Sequence, residues 1–199
     1  MEKFILTEVT REYLGVTLYQ IKATRSFGNV KAGELGGWVE KAENLSQEDD
    51  AWVFGNARVS GNARVSGNAR VSGNARVSGN ARVFGDAWVF GDAEVFGDAE
   101  VFGDARVSGN ARVFGDAHIT SRAHIAWFSS VGSEYGTLTA YMTKQGVVEV
   151  TRGCFHGSID TFEAAVQQTH GESRHGQEYM LLIQFIRLRF KGVIVENAS

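Results

Sequence analysis

The chain has 199 residues, 43% hydrophobic and 22% charged, with a formal net charge of −3. That is enough apolar material for one to three packed units, and the mild acidity argues against generic nucleic-acid binding, which relies on many summed phosphate contacts. No run approaches the roughly 20 apolar residues needed to cross a bilayer, and Met1-Glu-Lys-Phe-Ile-Leu-Thr-Glu turns polar too early for a secretory signal, so a cytoplasmic, membrane-free protein is expected.

Residues 1–50 read as a small β cap with a segment that enters the central region of the chain. Leu18-Tyr-Gln-Ile-Lys-Ala alternates like a strand and is expected to pair with Lys3-Phe-Ile-Leu. Trp38 and Val39 then open an irregular first coil, because Leu45 lies six residues beyond Val39. The predicted role of this segment is to cover an end whose open edge would otherwise pair with another chain.

From residue 51 to 128 the sequence is a six-residue repeat. An aliphatic residue recurs in register at Val53, Val59, Val65, Val71, Val77, Val83, Val89, Val95, Val101, Val107, Val113, Ile119 and Ile125, each with alanine two positions before it. A spacing of two places Ala and Val on one face of a short strand, and a Gly-Asn or Gly-Asp pair then turns the chain. The 24 glycines and absence of proline fit a corner that repeatedly needs positive φ. Strands this short gain a core only by stacking, and three per turn give an 18-residue coil.

At a period of eighteen the outward residues form columns. One reads Trp52, Arg70, Trp88, Arg106, His124, a cation–π arrangement; the others read Arg58, Arg76, Glu94, Arg112 and Arg64, Arg82, Glu100, His118, with stacked ion pairs at Arg76–Glu94–Arg112 and Arg82–Glu100. Phe84, Phe90, Phe96 and Phe102, with Phe54 and Phe114 outside them and Trp52 and Trp88 nearby, are expected to form an exposed aromatic belt that another chain or a non-repeat segment covers. Arg58, Arg64, Arg70, Arg76 and Arg82 make a basic zone and Asp86 to Asp104 an acidic one; the arginines are the candidate ligand-binding residues.

Residues 129–199 read as a small α+β domain. Gly136-Thr-Leu-Thr-Ala-Tyr-Met-Thr and Gly146-Val-Val-Glu-Val-Thr-Arg form a hairpin about Lys144-Gln-Gly. Asp160-Thr-Phe-Glu163 begins a helix with Phe162, Ala165, Val166 and Thr169 on its apolar stripe and Gly171 as its stop, and Tyr179–Phe190 is expected to close the domain as a strand. The single cysteine, Cys154, forms no internal disulfide and no thiolate zinc cluster. Cys154 with His156, and the loop bearing His170 and His175, are the other chemically equipped places; burial of Cys154 as a structural residue is the expectation.

An aliphatic residue followed four positions later by a small one, as in Val59 and Ala63, resembles the hexapeptide-repeat family. The resemblance implies a left-handed parallel β-helix, three strands per coil, that assembles laterally into trimers. Gly33-Glu-Leu-Gly-Gly-Trp-Val, Asn44-Leu-Ser and the tandem hexads together resemble hexapeptide-repeat proteins of bacteriophages and enterobacterial prophages, which implies a phage or bacterial source and, if phage-encoded, the host cytoplasm. Enzymes of this fold transfer acyl groups from coenzyme A using a histidine in a cleft between subunits, which makes His118 and His124 the candidate bases and acetyl-CoA or another acyl-CoA the cofactor. The leading expectation is instead non-catalytic and without cofactor or metal: an oligomeric binding or assembly protein, as in phage counter-defence, that meets a host protein or sequesters a small anionic nucleotide. Acyl transfer and a structural virion role are the alternatives.

Overall fold

The computed structural model describes residues 2–192; residues 193–199 of the expected C-terminal unit lie outside the described residues. A three-sided parallel solenoid occupies the middle of the chain, with an antiparallel element at each end.

Each side is a stack of two-residue strands paired in register with the strand eighteen residues on, such as Trp88 with Arg70 and Arg106, and Val89 with Val71 and Val107. The alanine and aliphatic slots from Ala51 to Ile119 are essentially inaccessible to solvent. Between stacked strands the main chain bonds in parallel fashion, as in Arg70 N–H to the Ala87 carbonyl at 2.9 Å. At each corner a tight turn closes on itself. The Ala69 N–H reaches the Ser66 carbonyl at 3.3 Å around Gly67, whose φ is +64°.

Strands β1 (Phe4–Tyr13) and β2 (Val16–Ala23) form the N-terminal hairpin, and β3 (Leu35–Val39) pairs antiparallel with β2 on one edge and parallel with Arg58–Val59 on the other. The first coil therefore begins at Trp38–Val39, with Leu45 bridged to Val65 in keeping with the hexad spacing. Lys3 is buried at this end, and its ammonium donates to the carbonyls of Glu48, Asp49 and Ala51 at 3.0, 3.3 and 2.9 Å. The hairpin and the loop after it hide Trp52 completely beneath the edges of Phe4 and Phe27, so this residue of the expected aromatic belt belongs to the core of its own chain.

At the far end the regular parallel pairing stops at His118–Ile119, and Arg122–His124 forms a 3₁₀ turn capped by Ser121. Ile125 keeps its buried slot, but its strand, Ile125–Val131, runs antiparallel to Gly136–Met142, so His124 leaves the outward column and is buried. The sheet continues through Val148–Arg152 and Phe155–Ser158. It docks on the last coil through the Arg112 N–H to Thr139 Oγ1, Thr151 Oγ1 to the Arg112 carbonyl and the Lys144 N–H to the Asp116 carbonyl.

Two helices cover this sheet. Helix α1 (Ile159–His170) takes Ser158 as its N-cap, buries Phe162 and Val166 and ends at Gly171. Helix α2 (Arg174–Phe190) overturns the expected final strand. Tyr179, Ile183, Ile186 and Phe190 are its buried stripe at helical spacing, and Ser173 caps its first turn. The outward Leu181, Phe185 and Leu188 are equally apolar, which erases the amphipathic contrast from the sequence.

Candidate binding cleft

The residues singled out by sequence do not converge. Arg58 and Arg76 share one side of the solenoid, Arg64 and Arg82 a second, and Arg70 the third. Several are also committed. Arg76 bonds to Tyr13 and pairs with Glu94, Arg58 lies 4.1 Å from the Tyr13 ring, and Arg82 Nη1 is 3.4 Å from Glu100. Arg112 joins Glu94 at 3.2 Å, so the stacked ion-pair columns exist at the eighteen-residue period, and Lys144 from the C-terminal sheet adds a contact to Glu100 at 3.5 Å.

The aromatic belt is largely self-covering. Phe84 stacks on Phe102 at 4.6 Å, Phe96 on Phe114 at 4.8 Å, and Phe90 tilts against Trp88 at 4.7 Å; all six, like Phe54, are half-buried. Phe114 is further capped by His156 of the C-terminal sheet at 4.2 Å.

The candidate bases each lie against a neighbouring side chain. His118 Nδ1 sits 3.3 Å from Glu100 with its ring edge-on to Phe102, while His124 Nδ1 lies 3.1 Å from Thr120 Oγ1. Cys154 is exposed in a turn, contrary to the expected buried cysteine, and the nearby His156 bonds to Glu149 at 2.8 Å. His170 packs with His175 and Tyr179. Among the described residues no group of three or more His, Cys, Asp or Glu is placed to hold a metal, and no helix is long and apolar enough to cross a membrane.

A different site forms where the solenoid meets the C-terminal sheet. The 3₁₀ turn at Arg122–His124 redirects the chain so that strand Ile125–Val131 rises beside the solenoid, and α2 packs against that strand. The space left between them is a cleft of about 400 Å³ lined by Phe90, Arg106 and Ser108 from the solenoid, Arg122 and Ile125–Phe128 from the junction, and Phe185 and Arg189 from α2.

Local sequence explains each wall. The Trp127 indole lies over the corner at Gly109, where a β-carbon would stand 3.2 Å from its Nε1. Phe128 meets Phe185 edge to face at 5.5 Å, tying strand to helix. Arg189 Nη2 donates to the Arg122 carbonyl at 3.0 Å, while Arg122 Nε is 3.7 Å from Asp104 outside the cleft. The wall thus offers three guanidinium groups and four aromatic rings, with no carboxylate, histidine or thiol among its described lining residues. Of these residues only Phe90 is a site candidate on sequence grounds. The others come from segments far apart in sequence and carry no shared local pattern.

Residues 63–77, 75–91 and 105–120 match the YdcK beta solenoid repeat family, and no curated protein matches the chain. The match and the parallel, in-register coils identify the repeat region as a β-solenoid of hexapeptide-repeat type.

Proposed function

We propose, for a chain whose middle is a β-solenoid of this type, that it is a non-catalytic binding protein: the solenoid is a rigid support and the junction cleft holds an organic anion. One observation carries this reading. The cleft is lined by Arg106, Arg122 and Arg189 together with four aromatic rings, and among the described residues it has no side chain suited to act as a general base. Stacked coils with buried Ala and Val slots hold their flanks rigidly, which suits a site that must be preformed. Lateral assembly into trimers belongs to the same reading, resting on the half-buried Phe84–Phe102 ladder along one side.

Native mass spectrometry of the full chain with acetyl-CoA, an amine and hydroxyl acceptor mixture, and a set of linear and cyclic nucleotides tests it. Retention of an anion that is recovered chemically intact is the expected result, and the mass reads the trimer directly. Transfer of the acetyl group to an acceptor would replace the binding reading with acyl transfer.

A further inference from the structure

The cleft's chemistry is divided, and the division points to a ligand class. Cationic groups come from the solenoid, at Arg106, and from the C-terminal turn of α2, at Arg189, while Trp127 and Phe128 of the junction strand supply ring surface to the same cleft. Resting on the binding function proposed above, we infer that the cleft takes a nucleoside phosphate, with the phosphate between the arginines and the base against the Trp127–Phe128 floor.

Three features of the site select this chemistry. First, Arg106 and Arg189 line a cleft that has no carboxylate among its described lining residues, while Arg122 is paired with Asp104 outside it, so the cleft carries net positive charge in a chain whose net charge is −3. Second, Arg189 is anchored by the Arg122 carbonyl, which uses one of its donors and leaves the rest of the planar fork for an oxyanion. That anchoring lowers the ordering cost of binding. Third, the roughly 400 Å³ volume falls within the range of about 300–1,000 Å³ occupied by small-ligand sites. A bare phosphate leaves the aromatic rings unused, and an uncharged apolar ligand leaves Arg106 and Arg189 without a counter-ion among the described residues, Arg122 being paired with Asp104. A flat ring joined to a phosphate uses both, by stacking and by charge-assisted hydrogen bonds.

The test is calorimetric titration of the full chain with AMP, alongside adenosine and ribose 5-phosphate, with tryptophan fluorescence measured in parallel. AMP is expected to bind with a fluorescence change, and each fragment to bind about tenfold more weakly or worse, since each lacks one of the two contacts. Arg106→Gln and Arg189→Gln should each weaken AMP about tenfold. Arg64→Gln, on another side of the solenoid, should leave AMP binding unchanged; unaltered circular dichroism melts show that each variant is folded. Equal binding of ribose 5-phosphate and AMP, still sensitive to Arg106→Gln, would overturn the nucleoside assignment while leaving an anion-binding cleft. Absence of binding by every anion tried, or binding indifferent to both cleft arginines, would overturn the cleft reading itself. A single-stranded oligoadenylate that binds about a hundredfold more tightly than AMP would overturn the small-ligand assignment in favour of a polymer.

Discussion

Asn74 donates its side-chain amide to the Asp92 carboxylate one coil away, at 2.9 Å, and Asn68–Asp86 and Asn80–Asp98 repeat the contact at 3.0 and 2.9 Å. The shift of corner residues from Asn to Asp along the solenoid therefore places a donor beneath an acceptor. Asp92→Ala is expected to lower stability by about 0.5–1.5 kcal/mol, and Asp92→Asn, whose carbonyl still accepts, by less. Denaturant midpoints measure both; a neutral Asp92→Ala would show that the ladder adds nothing.

Trp52 sits under the hairpin that closes the first coils, 6.1 Å from the Phe4 ring and 5.3 Å from Phe27, with no solvent exposure. Trp52→Ala should destabilise the protein by about 3–5 kcal/mol through the cavity it leaves. Because the buried indole N–H has no hydrogen-bond partner among the described residues, Trp52→Phe loses volume but no hydrogen bond and should cost clearly less. Thermal unfolding that gave equal losses for the two variants would contradict this expectation.

Gly79 has φ of +69°, and a β-carbon there would stand 2.9 Å from the Gly97 main-chain nitrogen in the next coil. Gly79→Ala therefore combines left-handed backbone strain of about 1–2 kcal/mol with a main-chain clash that no rotamer relieves. A lowered unfolding temperature is expected, larger than for Gly146→Ala, where φ is also positive but the space is open.

Burial, together with the nearby Arg25 and against the pull of Asp49 and Asp50, brings the Lys3 ammonium down to a pKa of about 8 from 10.5. Between these values the unfolded chain holds a proton that the folded chain has released, so raising the pH favours the folded state. Stability should climb by about 1–2 kcal/mol from pH 8 to pH 10, and the climb should vanish in Lys3→Met. Above pH 10 the buried Tyr141, whose phenol is pushed up by burial, acts in the opposite sense as unfolded tyrosine ionises. A Lys3→Met profile parallel to that of the natural sequence across pH 8–10 would remove Lys3 as the cause.

The solenoid is legible in the sequence because its information is local and repeated. Ala51, Val53 and their successors state both the inward face and the period, and the period alone places Arg76 beside Glu94 and Arg82 beside Glu100. Tyr179–Phe190 misleads for the opposite reason: Leu181, Phe185 and Leu188 are exposed yet as apolar as the buried Ile183 and Ile186, so a helix reads as a continuous strand. The hexad alone puts Trp52 on the outside; the hairpin and the loop bearing Phe27, tertiary partners, cover it. The cleft leaves no mark in the sequence because Arg106, Trp127 and Arg189 belong to a solenoid strand, a junction strand and a helix. Only the 3₁₀ turn at Arg122–His124 brings them together.

The most direct test of the binding cleft is equilibrium dialysis of the natural chain and an Arg106→Gln/Arg189→Gln double variant against an equimolar mixture of AMP, ATP, cyclic AMP, pyrophosphate and acetyl-CoA, with mass analysis of what each retains. The natural chain is expected to hold an organic phosphate, recovered unaltered, and the double variant to lose it. Equal retention by the double variant, or recovery of deacylated coenzyme A, would contradict a non-catalytic binding cleft at the junction.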